Sequence, residues 1–139
     1  MSGTLNRVML IGHLGRDPEI HHTQAGKRLA SLSLATSDRW TDRDTGEKKE
    51  RTEWHRVVVM REPLVEILQN YAGKGAKIYI EGSQHTRKWT DRDGHDRWTT
   101  ETVVSWIDDR VLLLDRRQAE KEGDQAPKGK SPLDDDIPF

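Results

Sequence analysis

The order in which the spacing of apolar residues changes along the chain is what most narrows its fold. Residues 5–14, LNRVMLIGHL, form an apolar run rich in strand formers, and Gly12, Gly15 and Asp17-Pro18 punctuate it as a bend. Next, Ala30, Leu32, Leu34 and Thr36 alternate with Ser31, Ser33, Ala35 and Ser37. Successive side chains on a strand point to opposite faces, so this alternation predicts a second strand with one face on a core, ending near Trp40. The stretch TDRDTGEKKER then reads as a loop, and TEWHRVVVM, from Thr52 to Met60, as a third strand whose apolar end is buried on both faces.

The spacing then changes. Pro63 at a first helical position, Leu64, Ile67, Leu68 and Tyr71 at intervals of three and four, and Gly73 and Gly75 just beyond predict a short amphipathic helix. Strand-like spacing returns in KIYIEGSQHTRKW, from Lys77 to Trp89, and after the turn DRDGHD in RWTTETVVSW, with VLLL at 111–114 closing the domain. Three strands, a helix and two strands is the order of an OB-fold, a five-stranded Greek-key barrel that the helix would plug. A four-plus-one α+β sheet shares this order, and the pattern favours the barrel. The expected class is therefore all-β with one short helix.

Composition limits the function. Hydrophobic residues make up 32% of the 139-residue chain and charged ones 34%, so the core must be small and much of the chain solvated. There is no cysteine, which removes disulfides, thiolate metal sites and cysteine nucleophiles. No run of eighteen apolar residues occurs, and MSGTLNRVML lacks the basic, apolar and cleavage segments of a signal peptide. The expectation is a cytoplasmic protein with no membrane partner. The net charge is −1, and five basic and six acidic residues lie beyond residue 115, leaving the body balanced. Any binding surface must therefore come from local arrangement.

That arrangement is legible. On the third strand Trp54, Arg56, Val58 and Met60 fall on one face, and on the fourth His85, Arg87 and Trp89 do, with Lys88 beside them. Single-stranded nucleic acid offers base faces that stack on aromatic rings and phosphates that attract Arg or Lys, and interleaving both residue types grips it without regard to sequence. Five tryptophans stand beside one phenylalanine. Trp40, Trp54 and Trp89 have a basic or histidine neighbour in polar surroundings, which points to binding rather than core packing. Trp98 and Trp106 could equally cover the barrel or pack against another subunit. The segments RWTDRD at 39–44 and KWTDRD at 88–93 echo each other; turn chemistry explains their Asp residues but not the shared basic residue and tryptophan.

Catalysis finds no support in the spacing. His21 and His22 are adjacent, so a strand would point them apart, and His13, His55, His85 and His95 form no H-x-x-x-H or H-x-H pair. A calcium-loop spacing can be counted from Asp42 to Glu53, without its turn glycine. The chain reads as a non-enzyme with no metal and no cofactor.

From Arg116 the sequence is polar and has almost nothing to bury, which predicts a disordered linker over 116–133 after a domain of residues 1–115. At 134–139, Asp134, Asp135, Asp136, Ile137, Pro138 and Phe139 place the chain's single phenylalanine behind three aspartates and beside the α-carboxylate. A partner pocket with an apolar hole and a basic rim would suit this acidic tip.

Taken together, NRVMLIGHLGRDPE at 6–19, TEWHRVVV at 52–59, YIEG at 79–82, TRKWTD at 86–91 and the terminal DDDIPF resemble the bacterial single-stranded DNA-binding protein family. The resemblance runs over most of residues 4–114 and resumes at the last six. It implies an OB-fold protomer, a homotetramer, and bases stacking at Trp40, Trp54 and Trp89. It also implies work in replication, recombination and repair, with partner proteins read through the tip. Two departures stand out. Met60 occupies a position where the family usually has an aromatic, and the linker is short with few glycines. An OB-fold primosome-like accessory or RNA-binding interaction module is the alternative, though it would have little use for the tip.

Overall fold

A computed structural model describes residues 3–114; the linker and the tip fall outside the described residues. Within them the chain forms β1 (Val8–Leu14), β2 (Glu19–His22), β3 (Arg28–Thr41), β4 (Lys48–Val59), α1 (Glu62–Tyr71), β5 (Lys77–Thr90), β6 (Asp96–Val104) and β7 (Arg110–Leu113). No helix among the described residues is long and apolar enough to cross a membrane.

β3 pairs antiparallel with β1 and β4, β4 runs parallel to β6, β6 antiparallel to β5, and β5 returns to β1. Five strands thus close on themselves. The β1–β5 seam, from Val8 opposite Gly82 to His13 opposite Lys77, excludes the open four-plus-one sheet. With α1 between β4 and β5, this is the OB-fold order. Closure brings backbones close at two glycines: a Cβ on Gly12 would strike the carbonyl oxygen of Ala35, and one on Gly82 that of Val103.

Two short strands lie outside the expected five, β2 on β3 and β7 on β5. β4 also begins at Lys48 rather than Thr52, inside the expected loop, because the charged run 48–51 pairs with β3 residue by residue, Arg39 opposite Glu50 among them. The core joins Leu14, Leu32, Leu34, Val57, Val59, Ile78, Ile80 and Val104 to Val65 and Leu68 of α1. Each such side chain contributes about 1.5–3 kcal/mol by leaving water. The helix turns a different face inward from the one its spacing suggested: Val65 and Leu68 are buried and Leu64 and Ala72 pack beside them, while Ile67 and Tyr71 stay exposed. Val65, Leu68 and Ala72 form the three-and-four stripe that meets the ring.

Arg28 ties the start of β3 to the helix. Its backbone N–H donates to Glu62 Oε2 at 2.7 Å, and its guanidinium donates to Glu62 Oε1 at 3.1 Å and to Gln69 Oε1 at 3.0 Å. The backbone bond first, then the guanidinium, hold the Glu62 carboxyl below the usual carboxylate range. A group with a depressed folded pKa stabilises fully above its unfolded value, about 4.3 for Glu, and loses that contribution as the pH falls through the folded value. Glu62→Gln should therefore melt below the parent at neutral pH, with the gap closing as the pH falls below about 4.3. Thermal melts from pH 7 to pH 3 measure this; a gap that stays constant would remove the ion-pair role of Glu62.

Candidate nucleic-acid interface

β4 and β6 pair over three residues only, Val57–Val59 with Thr102–Val104. Before that root each strand follows its own hairpin partner, β4 with β3 out to Thr41 and Lys48, and β6 with β5 out to Thr90 and Asp96. Two long hairpin arms therefore leave the ring from a common root, and the expected site residues lie on these arms or at the root.

Trp54 sits on the β3–β4 arm. Its side chain is 60% exposed, and its ring lies against Gly15 so closely that a Cβ there would stand 2.5 Å from Cζ3 and 2.7 Å from Cη2. The missing side chain of Gly15 is the seat of the ring. A depression beside it is lined by Arg16, Ser31, Ser33, Trp54, His55 and Arg56. Neither Arg16 nor Arg56 forms an ion pair among the described residues. An indole seated against Gly15, with two guanidinium groups that form no ion pair among the described residues lining the same depression, is suited to a stacked base with its flanking phosphates. Sequence reading missed Gly15 and Arg16, taking the first only as a bend; their closeness to Trp54 spans some forty residues of chain and leaves no local signal.

The other expected residues divide. Arg56 and Met60 share the face of Trp54 along β4, and Met60 is half exposed at the strand's end. Trp40 pairs with Lys49, while Ala35 pairs with Trp54, so Trp40 lies on the opposite face of that arm. It borders a second depression with Arg39, Lys48 and Lys49. On the β5–β6 arm, Trp89 is 42% exposed and its indole N–H donates to Thr99 Oγ1 at 2.7 Å. Arg87 shares its face, as expected, but is gripped through two bonds of 3.1 and 3.2 Å by Glu101, whose side chain is 7% exposed. Its charge is thus already paired. Lys88 points to the other face, where its Nζ lies 5.9 Å from the centre of the Trp98 ring. Trp98 and Trp106 are both exposed and neither covers the ring.

Asp91, Asp93 and His95 bring possible metal-ligand atoms together at the tip of the β5–β6 arm. Asp91 is already occupied, accepting from the backbone of Asp93 and His95 and from Arg97. The backbone of His95 first, then Arg97, hold its carboxyl below the usual range. This is turn chemistry.

Comparison with known proteins agrees with the fold. The profile of the Single-strand binding protein family matches residues 5–111. The single-stranded DNA-binding proteins of Rickettsia felis and Rickettsia prowazekii are each 47% identical to the chain over 152 aligned positions, covering all of both chains. That of Rhizobium meliloti is 49% identical over 123 positions, covering 88% of this chain and 71% of its own. A solved Plasmodium falciparum SSB complex with ssDNA superposes with a TM-score of 0.74 at 38% identity, over 83% of this chain and 99% of that one. A closed ring with its helix, the exposed indoles on its arms and full-length identity near one half agree: this chain belongs to the Single-strand binding protein family.

Proposed function

We propose that the protein binds and protects single-stranded DNA without regard to sequence, stacking bases on Trp54, Trp40 and Trp89 and pairing phosphates with Arg56, Arg16 and Lys88. The observation that carries this reading is Trp54 seated on Gly15 beside Arg16 and Arg56, two cations that form no ion pair among the described residues. Met60 extends the same face as a polarizable apolar contact. Arg87, held by Glu101, shapes the face of Trp89 and contributes less to phosphate binding. Full-length similarity to named single-stranded DNA-binding proteins supports the substrate.

The same proposal includes self-association as a homotetramer. Ile11, Tyr79 and Leu112 stand opposite one another across β1, β5 and β7, and Ile11 and Leu112 are exposed. A row of this kind is suited to a second copy of the chain. It also includes recruitment of replication, recombination and repair proteins through Asp134 to Phe139, supported by the apolar Ile-Pro-Phe behind three acidic residues.

Trp54→Ala should weaken single-strand binding by about 1–3 kcal/mol, and Gly15→Val should weaken it by displacing the ring while every contacting side chain remains. Fluorescence titrations against single strand, duplex and RNA measure this. The log-log salt plot should slope by about −0.7 per phosphate neutralised, and Arg56→Gln should flatten it. Variants that stay folded and bind like the parent would sink the assignment of this face. For the tip, Phe139→Ala should abolish capture of partner proteins from bacterial extract and leave single-strand affinity unchanged. Deleting residues 134–139 should strengthen DNA binding slightly at low salt only, since an acidic segment competes for basic sites until it is screened. Equal partner recovery by parent and variants would leave the tip without a docking role.

A further inference from the structure

The proposed contacts use three of the five tryptophans, and Trp98 is not among them. It is 64% exposed, and its indole N–H makes no hydrogen bond among the described residues. The only ring contact it has there is with Lys88, its directly opposite cross-strand partner. A tryptophan held out in water adds little to the stability of a fold, so its surroundings decide what it offers.

Those surroundings continue the groove at Trp54. A depression at the root of the two arms is lined by Trp54, His55 and Arg56 from β4 and by Gln84, Thr100, Thr102 and the Arg87-paired Glu101 from the β5–β6 arm. Register places Gln84 opposite Thr102, Thr86 opposite Thr100 and Lys88 opposite Trp98. The hydroxyls of Thr86 and Thr100 meet at 3.0 Å, so these six side chains share one face of the arm. From Thr100 to Trp98 is about 7 Å further out. A surface therefore runs from the indole and guanidinium of β4, across a floor of hydroxyls and an amide of the kind that contacts sugar and phosphate, to a second indole with its own cation.

The two faces of the arm differ in how their cations are held. On the Trp89 face, Arg87 is tied to the buried Glu101, and Arg97 to Asp91 at 2.9 Å, whose side chain is 17% exposed. On the Trp98 face, Lys88 meets Asp96 at 3.4 Å, with both side chains half exposed. An open pair of that type contributes little to stability, so a phosphate can displace Asp96 at little cost.

We infer that Trp98 and Lys88 form a further base-stacking platform for single-stranded nucleic acid, reached from Trp54 across the threonine floor. This rests on the proposed single-strand binding and extends its footprint along one face of the β5–β6 arm.

The test is a titration of oligothymidylates of increasing length against parent, Trp54→Ala, Trp98→Ala, Trp98→Phe and Lys88→Gln, with thermal melts and solution mass for each. Trp98→Ala should lose on the order of ten-fold in affinity for strands long enough to reach beyond Trp54, and nothing for the shortest strands that bind. Trp98→Phe should restore most of the loss, and Lys88→Gln should flatten the salt plot only for the longer strands. Parent-like affinity of Trp98→Ala at every length, alongside a weakened Trp54→Ala, overturns the inference and leaves the underlying reading standing. A changed solution mass with unchanged affinity also overturns it, by assigning Trp98 to contacts between copies. If Trp54→Ala and Trp98→Ala both match the parent, the single-strand face itself is misplaced and the inference falls with it.

Discussion

Closure of the sheet through β1 sets the position of everything that binds. β1 pairs with β5 along most of its length and with β3 at His13 and Leu14, so one strand locks both arms to the same ring. The seam tolerates no side chain at Gly12 or Gly82, where one backbone lies against another. With the ring closed, apolar residues of every strand and of α1 share one interior, and a core of limited size suffices for a chain with few hydrophobic residues.

The tryptophans are carried where that core cannot reach them. Over Val57–Val59 and Thr102–Val104 the chain is buried, and a few residues earlier on both strands it is exposed. Hydrophobic burial ends as the arms leave the ring, and cross-strand pairs take over as their main support. Trp54 differs from the other indoles on the arms because the turn after β1 reaches back to it. Gly15 both seats the ring and bonds Ser33 through its backbone N–H at 2.9 Å. A ring oriented before a base arrives loses less freedom on binding.

Electrostatics in a neutral body depends on which charges are left over. Arg7 pairs with Glu81, Arg28 with Glu62, Arg87 with Glu101 and Arg97 with Asp91. The Tyr79 hydroxyl first, then Arg7, hold Glu81 below the usual carboxylate range, a sign that this charge already has its partners. Arg16 and Arg56 have none among the described residues, and both border Trp54. Net charge carries no hint of a polyanion partner because a sum over the chain does not say where its unpaired cations lie.

The period-two alternation of Ala30, Leu32 and Leu34, the helical interval around Leu68 and the shared face of Trp54, Arg56 and Met60 could be read directly, because each follows from the geometry of a single element. So could the order of elements, and with it the OB-fold. β2 was not legible, since four residues of mixed character show no period. The charged start of β4 read as loop, since only its pairing with β3 makes it strand. The inward face of α1 depended on which stripe met the ring. The seat of Trp54 on Gly15, the capture of Arg87 by Glu101 and the placing of Trp98 opposite Lys88 were decided by tertiary structure alone. Sequence determines which side chains share a face within one element, because backbone geometry is local. Which faces meet, and which charges remain unpaired, depends on contacts between residues distant in the chain, and these exist only once the ring has closed.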